Sequence, residues 1–128
     1  SRQCHEIYET LSNATNAKGR KLKVYKLPMP EKPCFMSEEE ANSIDLVNPR
    51  TAQDEPQIAS YMNYLVTNHG CIVPQYGDKN DALAVETLQK IYDETWGAGV
   101  YRCIGVDSRQ VVYGGGNIHC ITQQEPSA

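Results

Sequence analysis

A cysteine placed four residues after a run of three glycines is the feature of this sequence best suited to chemistry. The run is Gly114, Gly115 and Gly116, and the cysteine is Cys120. A thiolate is a nucleophile, and backbone N–H groups of a glycine bend can surround the carbon that it attacks. Consecutive glycines are entropically costly, so they indicate left-handed backbone or the close approach of another group. A glycine bend before a core strand with a buried cysteine explains the same residues, and this alternative stays open.

Neither His119 nor His69 is predicted to act on Cys120. If residues 117–122 are extended, successive side chains point to opposite faces, so His119 points away from Cys120. We therefore expect a structural histidine, hydrogen-bonded on the far face, rather than a general base. His69 lies in the predicted turn at 68–70 and is expected at the surface.

The number and spacing of the cysteines argue against a complete disulfide framework and against a zinc site. The count is odd, the spacing is wide, and no Cys-x-x-Cys or Cys-x-x-His pair is present. We expect mostly buried thiols in a reducing compartment, with one of them reactive. The five cysteines are Cys4, Cys34, Cys71, Cys103 and Cys120.

Length and composition describe one small acidic domain. The chain has 128 residues, with 12 basic and 16 acidic side chains and a net charge of -4. These values do not favour a nucleic-acid binder, which would carry a strongly basic surface. No window approaches the ~20 consecutive apolar residues that span a membrane, so no membrane association is expected.

Hydrophobic spacing predicts two longer helices and one short helical turn. Apolar residues at i, i+3, i+4 and i+7 predict an amphipathic helix over residues 4–15. Ser37 and Glu40 have the spacing of a capping box at the start of a short turn. A second long helix is expected over about 80–96. Its predicted buried stripe consists of Ala84, Leu88, Ile91 and Tyr92.

Alternating apolar residues with β-branched or aromatic side chains predict the strands. A proline-rich segment at 28–33 cannot continue a strand, because proline lacks the N–H that a ladder needs. A long polar loop is expected at about 42–57. The predicted strands are 22–27, 58–66, 71–76 and 100–106, followed by a last short segment at 117–122.

Four stretches of the sequence resemble one enzyme family. They are GGGNIHCITQQEP, NAKGRKLKVYKLPMP, IASYMNYLVTNHGCIVPQYGDKND and CIGVDSRQVVYGGGNIHC. The first resembles the C-terminal signature of the agmatine deiminases and Porphyromonas-type peptidylarginine deiminases. These are guanidino-group-modifying enzymes with the five-module β/α propeller known as the pentein fold. The similarity extends over nearly the whole chain.

The resemblance implies roles for particular residues. Cys120 matches the family nucleophile, and Gly114, Gly115 and Gly116 match the loop packed against the substrate guanidinium and its aliphatic stem. Asn117 and Arg109 also match family positions, and we interpret both as structural because a polar side chain beside a glycine bend more often fixes backbone. The implied mechanism uses a covalent thiouronium on cysteine and needs no metal or organic cofactor.

The resemblance also implies a fold that this chain contains in part. We expect an α/β fold (α+β in some schemes), with about two of the five ββαβ-type modules of the propeller. Residues 1–128 would form a single C-terminal segment of a deiminase domain. The family supplies its histidine and guanidinium-binding acids from upstream motifs that this chain lacks. We therefore expect the chain to be inactive alone, or to associate with itself or with the missing N-terminal modules.

The function implied is that of a cytoplasmic agmatine deiminase segment in polyamine biosynthesis. The substrate would be the small cationic guanidino compound agmatine, and the products would be N-carbamoylputrescine and ammonia. Two alternatives stay open: a segment of an arginine or peptidylarginine deiminase, and a non-catalytic assembly module of the same fold. Cys120 discriminates, because a structural thiol is buried and inert whereas a nucleophile is accessible and has a lowered pKa.

Overall fold

A small mixed sheet with one long helix packed on it forms the core of the molecule. The computed structural model describes residues 2–43 and 55–126. In chain order the elements are α1 (Arg2–Asn13), α2 (Glu38–Ser43), β1 (Leu65–Thr67), β2 (Gly70–Gln75), α3 (Asp81–Trp96) and β3 (Arg102–Asp107), followed by 3-10 turns at Val111–Gly114 and His119–Ile121.

The three strands lie in the order β1-β2-β3. β1 and β2 are antiparallel and are joined by the two-residue turn 68–69, whereas β2 and β3 are parallel. Parallel neighbours need a crossover connection, and α3 supplies it by packing against both strands. The β2-α3-β3 unit is therefore one continuously packed part of the fold.

Asp81 fixes the start of α3 and the loop that leaves β2. Its carboxylate accepts hydrogen bonds from the backbone N–H groups of Tyr76, Gly77 and Asp78 at 2.9 to 3.2 Å. The hydroxyl of Tyr61 donates to the same carboxylate at 2.7 Å. Burial raises the pKa of Tyr61, and the hydrogen bond to Asp81 raises it further. This arrangement ties the segment before β1 to the loop between β2 and α3.

The core lies between the sheet, α3 and the segments that flank them. The predicted stripe of α3 is confirmed in part, since Ala84 and Leu88 are buried while Ile91 and Tyr92 are half-buried. The buried hydrophobic cluster consists of Met36, Tyr61, Cys71, Val73, Tyr76, Ala84, Leu88, Cys103, Val112 and Tyr113.

Most predictions that rest on local signals are confirmed. Both long helices form, and the first ends at Asn13, two residues before the predicted bound. The capping box is present: the Ser37 N–H donates to Glu40 Oε2 at 2.8 Å, and the Glu40 N–H donates to Ser37 Oγ at 3.2 Å. The turn at 68–69 and the two strands paired in parallel are also as predicted, within two residues.

Three strand predictions are wrong in whole or in part. Residues 22–27 form no strand, and residues 117–122 contain a 3-10 turn instead of a strand. Of the predicted strand 58–66, only the last two residues belong to β1, and residues 61–63 form a turn instead. The cause is Ser60. Its carbonyl oxygen accepts the N–H of Asn63 at 3.1 Å, and its hydroxyl oxygen accepts the N–H of Met62 at 3.2 Å.

The predicted loop at 42–57 lies largely outside the described residues. Its first two residues, 42 and 43, belong to α2, so the loop prediction is wrong there. At the other end, Gln57 forms an isolated bridge with Cys34, and its N–H donates to the Cys34 carbonyl at 2.7 Å. Among the described residues, no helix is long and apolar enough to cross a membrane.

Candidate active site

Cys120 lies against a turn that the sequence places far away from it. Asn63, in the turn that begins at Ser60, donates from Nδ2 to Cys120 Sγ at 3.0 Å. The Oδ1 atom of the same amide accepts the Cys120 N–H at 3.3 Å, which fixes the orientation of the amide group. The Asn63 carbonyl accepts the N–H of His119 at 3.3 Å. One asparagine thus holds both the backbone and the sulfur of Cys120.

Two of the three glycines have steric reasons to be glycine. Gly115 has φ +86°, in the left-handed region, and its N–H donates to the Val112 carbonyl at 2.9 Å. At Gly116 an added Cβ would lie 2.8 Å from Cys120 Cβ and 3.0 Å from Sγ. A Cβ at Gly114 would meet open space. The glycine bend therefore lets the backbone of residue 116 lie directly against the cysteine.

The electrostatic surroundings favour the thiolate form of Cys120. The side chain is exposed, and its pKa lies below that of an ordinary cysteine. The largest cause is the backbone amide of Asn117, followed by the side-chain amide of Asn63, since both donate to the sulfur. Hydrogen bonds to the charged form of a group stabilise that form. An accessible thiol with a lowered pKa is what a nucleophile requires.

Tyr76 connects the two segments that meet at Cys120. Its hydroxyl donates to the Ser60 carbonyl and accepts the Ser60 N–H, each at 3.0 Å. The fully buried side chain of Asn117 donates to the same hydroxyl at 3.2 Å, and its Oδ1 accepts the N–H of Ile118 at 2.8 Å. Burial raises the pKa of Tyr76, so the hydroxyl stays protonated and can donate. The structural interpretation of Asn117 agrees with these contacts.

His119 was expected to point away from Cys120 if residues 117–122 were extended, but no strand forms there. Residues 119–121 are a 3-10 turn, so side chains do not alternate there. His119 is exposed and lines a pocket of about 300 Å³ together with Ser60, Met62 and Asn63. It therefore shares this pocket with Asn63, which also donates to Cys120 Sγ. His69 is exposed in the β1-β2 turn, as expected, and lines a different pocket.

Arg109 lies outside this arrangement and links α2 to the segment before the glycines. Its side-chain Nη2 is 3.7 Å from Glu40 Oε1. Its backbone N–H donates to Asp107 Oδ1 at 3.2 Å. The buried Tyr113 side chain lies beside both Glu40 and Arg109, and the interaction with Tyr113 raises the pKa of Arg109. These contacts agree with the structural interpretation of Arg109.

The other cysteines differ from Cys120. Cys71 and Cys103 are buried, Cys34 is half-buried, and Cys4 is exposed, so the expectation of mostly buried thiols is wrong. Burial raises the pKa of Cys34 as well as of the buried pair. Within residues 2–43 and 55–126, histidine, cysteine and acidic side chains do not gather in groups of three that could hold a metal ion.

Sequence comparison assigns the chain to a family. The sequence profile described as "Porphyromonas-type peptidyl-arginine deiminase" matches residues 1–126. The chain belongs to this family. A Lactococcus lactis protein named "Putative agmatine deiminase" is 47% identical over 124 residues, and a Streptococcus mutans protein of the same name is 44% identical over 122 residues. These matches cover 96% and 94% of the chain.

Solved structures of the deiminase family have the same mixed α/β arrangement. The agmatine deiminase of Enterococcus faecalis superposes with a TM-score of 0.83 at 46% identity, over 95% of this chain and 32% of that one. A structure described as a "putative peptidyl-arginine deiminase" superposes with a TM-score of 0.71 at 28% identity. The chain spans about a third of the length of the curated relatives that it matches.

Sequence reasoning found the cysteine and the glycines but missed Asn63 and Tyr76. Both lie in the stretch IASYMNYLVTNHGCIVPQYGDKND, one of the four that resemble the family. The available signal was a polar residue, Asn63, inside a segment otherwise rich in apolar and aromatic side chains. A polar residue that interrupts a predicted strand indicates a turn or a functional site. Here Asn63 lies in a turn and also donates to Cys120 Sγ.

Proposed function

We propose that this chain carries the nucleophile of an agmatine deiminase and that Cys120 is that nucleophile. The observation that carries the proposal is the exposed Cys120 sulfur, with a lowered pKa and amide donors from Asn63 and Asn117. A residue that serves only for packing needs neither exposure nor donors. The names of the relatives at 44 to 47% identity support the reaction class.

The proposed reaction is the hydrolysis of agmatine to N-carbamoylputrescine and ammonia. The Cys120 thiolate adds to the guanidinium carbon, and a C–S bond forms. A C–N bond then breaks, the departing nitrogen takes a proton, and ammonia leaves a covalent thiouronium on Sγ. A water molecule, after losing a proton to a base, adds to the same carbon. The C–S bond breaks, the hydroxyl of the intermediate loses its proton to solvent as the carbonyl forms, the ureido product leaves, and the thiolate is restored.

In this scheme Asn63 and the backbone amide of Asn117 hold the sulfur as a thiolate and fix its direction of attack. Gly116 allows the sulfur to lie against the backbone, and we propose that Gly114, Gly115 and Gly116 contact the planar guanidinium and the aliphatic stem. No Cβ projects from these three residues, so a flat group can approach the main chain. The reaction itself needs no metal, because the amidine carbon is already activated by its positive charge.

Agmatine is a better candidate than free or peptidyl arginine. Identity to the agmatine deiminase of Enterococcus faecalis is 46%, whereas identity to the structure described as a peptidyl-arginine deiminase is 28%. We propose that the fold is part of a pentein propeller, about two of its five modules, in a single segment over 1–128. The proton-transferring histidine and the carboxylates that bind the cation would then come from other modules.

We propose that the purified 128-residue chain alone does not turn over agmatine. The described donors to Cys120 Sγ are amide groups, which bind a thiolate but cannot supply the proton that the departing nitrogen takes. Association with itself or with further modules would be needed to complete the site. Release of ammonia and N-carbamoylputrescine by this chain, abolished in Cys120→Ala, would contradict the proposal of inactivity while supporting that of the nucleophile.

The nucleophile is tested by alkylation with iodoacetamide followed by peptide mapping. Because the pKa of Cys120 is lowered, its labelling is expected to stay fast at pH values where Cys34 is already protonated and slow. The matched reagents 2-chloroacetamidine and 2-chloroacetamide add a second test, since the first carries a cationic amidine and the second is its neutral counterpart. A preference of Cys120 for the cationic reagent supports a guanidino substrate.

The same experiment separates the deiminase from the non-catalytic alternative. A packing module predicts slow labelling of Cys120 with the pH dependence of an ordinary thiol. Equal rates at Cys120 and Cys34 across the pH range would overturn the assignment of Cys120 as the nucleophile.

A further inference from the structure

Cys71 and Cys103 form a buried thiol pair that the proposed reaction does not use. The two residues are direct partners in the parallel register of β2 and β3. Their sulfur atoms are 2.8 Å apart, with the thiol of Cys71 donating to that of Cys103. Neighbouring strands lie about 4.8 Å apart. That spacing is within the roughly 4.4 to 6.8 Å between Cα atoms of disulfide-bonded cysteines.

Their surroundings hold both sulfur atoms in place. Cys71 is 2% exposed and Cys103 is 7% exposed, and both belong to the main hydrophobic cluster. The Cys103 N–H donates to Gln89 Oε1 at 2.8 Å, and the same side chain donates to the Tyr101 carbonyl at 2.9 Å. The sulfur atoms therefore meet on adjacent strands whose register is fixed by α3 as well as by the sheet.

We propose that Cys71 and Cys103 are a dithiol modification site that a hydroperoxide converts into a cross-strand disulfide. The bonded sulfur distance is about 2.05 Å, so closure of the pair needs a movement of less than about 1 Å. The loop that the bond closes is long, because the two cysteines are 32 positions apart. This assignment is independent of the proposed deiminase function.

The oxidation proceeds in two balanced steps. One peroxide oxygen is transferred to the first sulfur, the O–O bond breaks, and Cys103 becomes a sulfenic acid while one water leaves. The Cys71 sulfur then attacks that of Cys103, the S–O bond breaks, and the hydroxyl leaves with the Cys71 proton as a second water. Each sulfur loses one electron in total, and the two oxygens of the peroxide gain them.

Access favours Cys103 as the first sulfur to react. β3 is an edge strand, and its other residues, 102 and 104–107, are exposed. Cys71 lies on the central strand and donates its proton toward Cys103. Burial raises the pKa of Cys103, and this hydrogen bond offsets part of the rise. Because burial raises the pKa of both thiols overall, the reaction is expected to be slower than oxidation of the exposed Cys120.

The test exposes the natively folded chain to hydrogen peroxide, blocks remaining thiols with iodoacetamide in denaturant, and maps peptides before and after dithiothreitol. The expected product is a peptide pair joined through Cys71 and Cys103, formed at a rate independent of protein concentration and lost on reduction. Cys71→Ser and Cys103→Ser are expected to abolish it. Cys34→Ser is the matched control and is expected to leave it unchanged.

Two results would overturn the proposal. One is recovery of both Cys71 and Cys103 as alkylated thiols after the exposure to peroxide has been prolonged well beyond full oxidation of Cys120, with no joined peptide pair formed at any time. The other is accumulation of Cys103 as sulfinic acid with Cys71 unmodified, which would show that the second sulfur does not reach the first. Both are read from the wild-type chain, so the result does not depend on the folding of the serine variants.

Discussion

The two long helices of this chain have similar sequence patterns and opposite surroundings. α3 carries apolar residues that enter the core, and Ala84 is 0% and Leu88 4% exposed. α1 has the same spacing, yet it buries no residue, and Ile7 and Leu11 remain 57% and 40% exposed. An amphipathic pattern therefore predicts a helix and its apolar face, but it does not predict what covers that face.

The apolar face of α1 borders a groove. The groove has a volume of about 580 Å³, and residues 24–27 and Met62 form its other wall. Lys26 Nζ lies 4.1 Å from the ring centre of Tyr8, which gives this wall a cation–π contact. This contrast between the helices leads to four expected outcomes, which concern α3, the Cys120 site, α2 and α1 in turn.

The largest effect is expected from Leu88→Ala in α3. Removing a buried leucine side chain loses its transfer free energy and leaves a cavity, which costs about 2 to 5 kcal/mol of unfolding free energy. Urea denaturation followed by circular dichroism measures the change. A cost below about 1 kcal/mol would show that α3 is not the packed helix of this comparison.

A smaller effect, on reactivity, is expected from Asn63→Ala. Loss of the amide donor raises the pKa of Cys120, so the thiolate fraction at neutral pH falls by about three- to tenfold. Asn63→Asp is the matched variant of equal size, and it raises the pKa further because it places a carboxylate beside the sulfur. The pH dependence of iodoacetamide labelling measures both. Unchanged labelling in both variants would show that Asn63 does not stabilise the thiolate.

Ser37→Ala tests the capping box of α2 and is expected to cost about 1 kcal/mol of unfolding free energy, since the Glu40 N–H loses its acceptor. Ser37→Asp keeps an acceptor at the same position and is expected to retain most of the stability. The difference between the two variants in urea denaturation isolates the cap. An equal cost in both would assign the loss to another cause.

The smallest effect is expected from Leu11→Ala in α1. The side chain is exposed and the substituted alanine favours helix, so the unfolding free energy should change by less than about 0.5 kcal/mol. Leu11→Ala and Leu88→Ala delete the same atoms, so the pair compares the two helices directly. A cost similar to that of Leu88→Ala would mean that the face of α1 is covered in solution.

The elements that were predicted correctly carry their signals within a few residues. Helix spacing, the Ser37 and Glu40 capping box, and the turn between β1 and β2 are local properties. The wrong strand predictions were based on alternating apolar and polar residues, and this pattern does not determine whether a neighbouring strand is present to pair with. Residues 22–27 have the composition of a strand but pair with no described one, and Ser60 diverts the backbone before β1 through its own hydrogen bonds.

The candidate site was predictable only in the part that is continuous in sequence. Cys120 and Gly116 are close enough for a motif to reveal them. Asn63 is 57 positions from Cys120, and Tyr76 is 41 positions from Asn117. Their contacts arise when β2 brings the turn at Ser60 beside the glycine bend, and no short pattern records that approach. The expectation for His119 rests on an extended segment at 117–122, and residues 119–121 form a 3-10 turn instead.

Because Asn63 reaches Cys120 through tertiary structure alone, thiol chemistry can report on the folding of this chain. In the unfolded chain Cys120 would lose its amide donors and regain an ordinary pKa, so its labelling near neutral pH would slow down. Cys71 and Cys103 would change in the opposite direction, since unfolding exposes them to the reagent. A single labelling experiment therefore reports on folding in two ways. Near neutral pH, folding speeds up the labelling of Cys120 and slows down the labelling of Cys71 and Cys103.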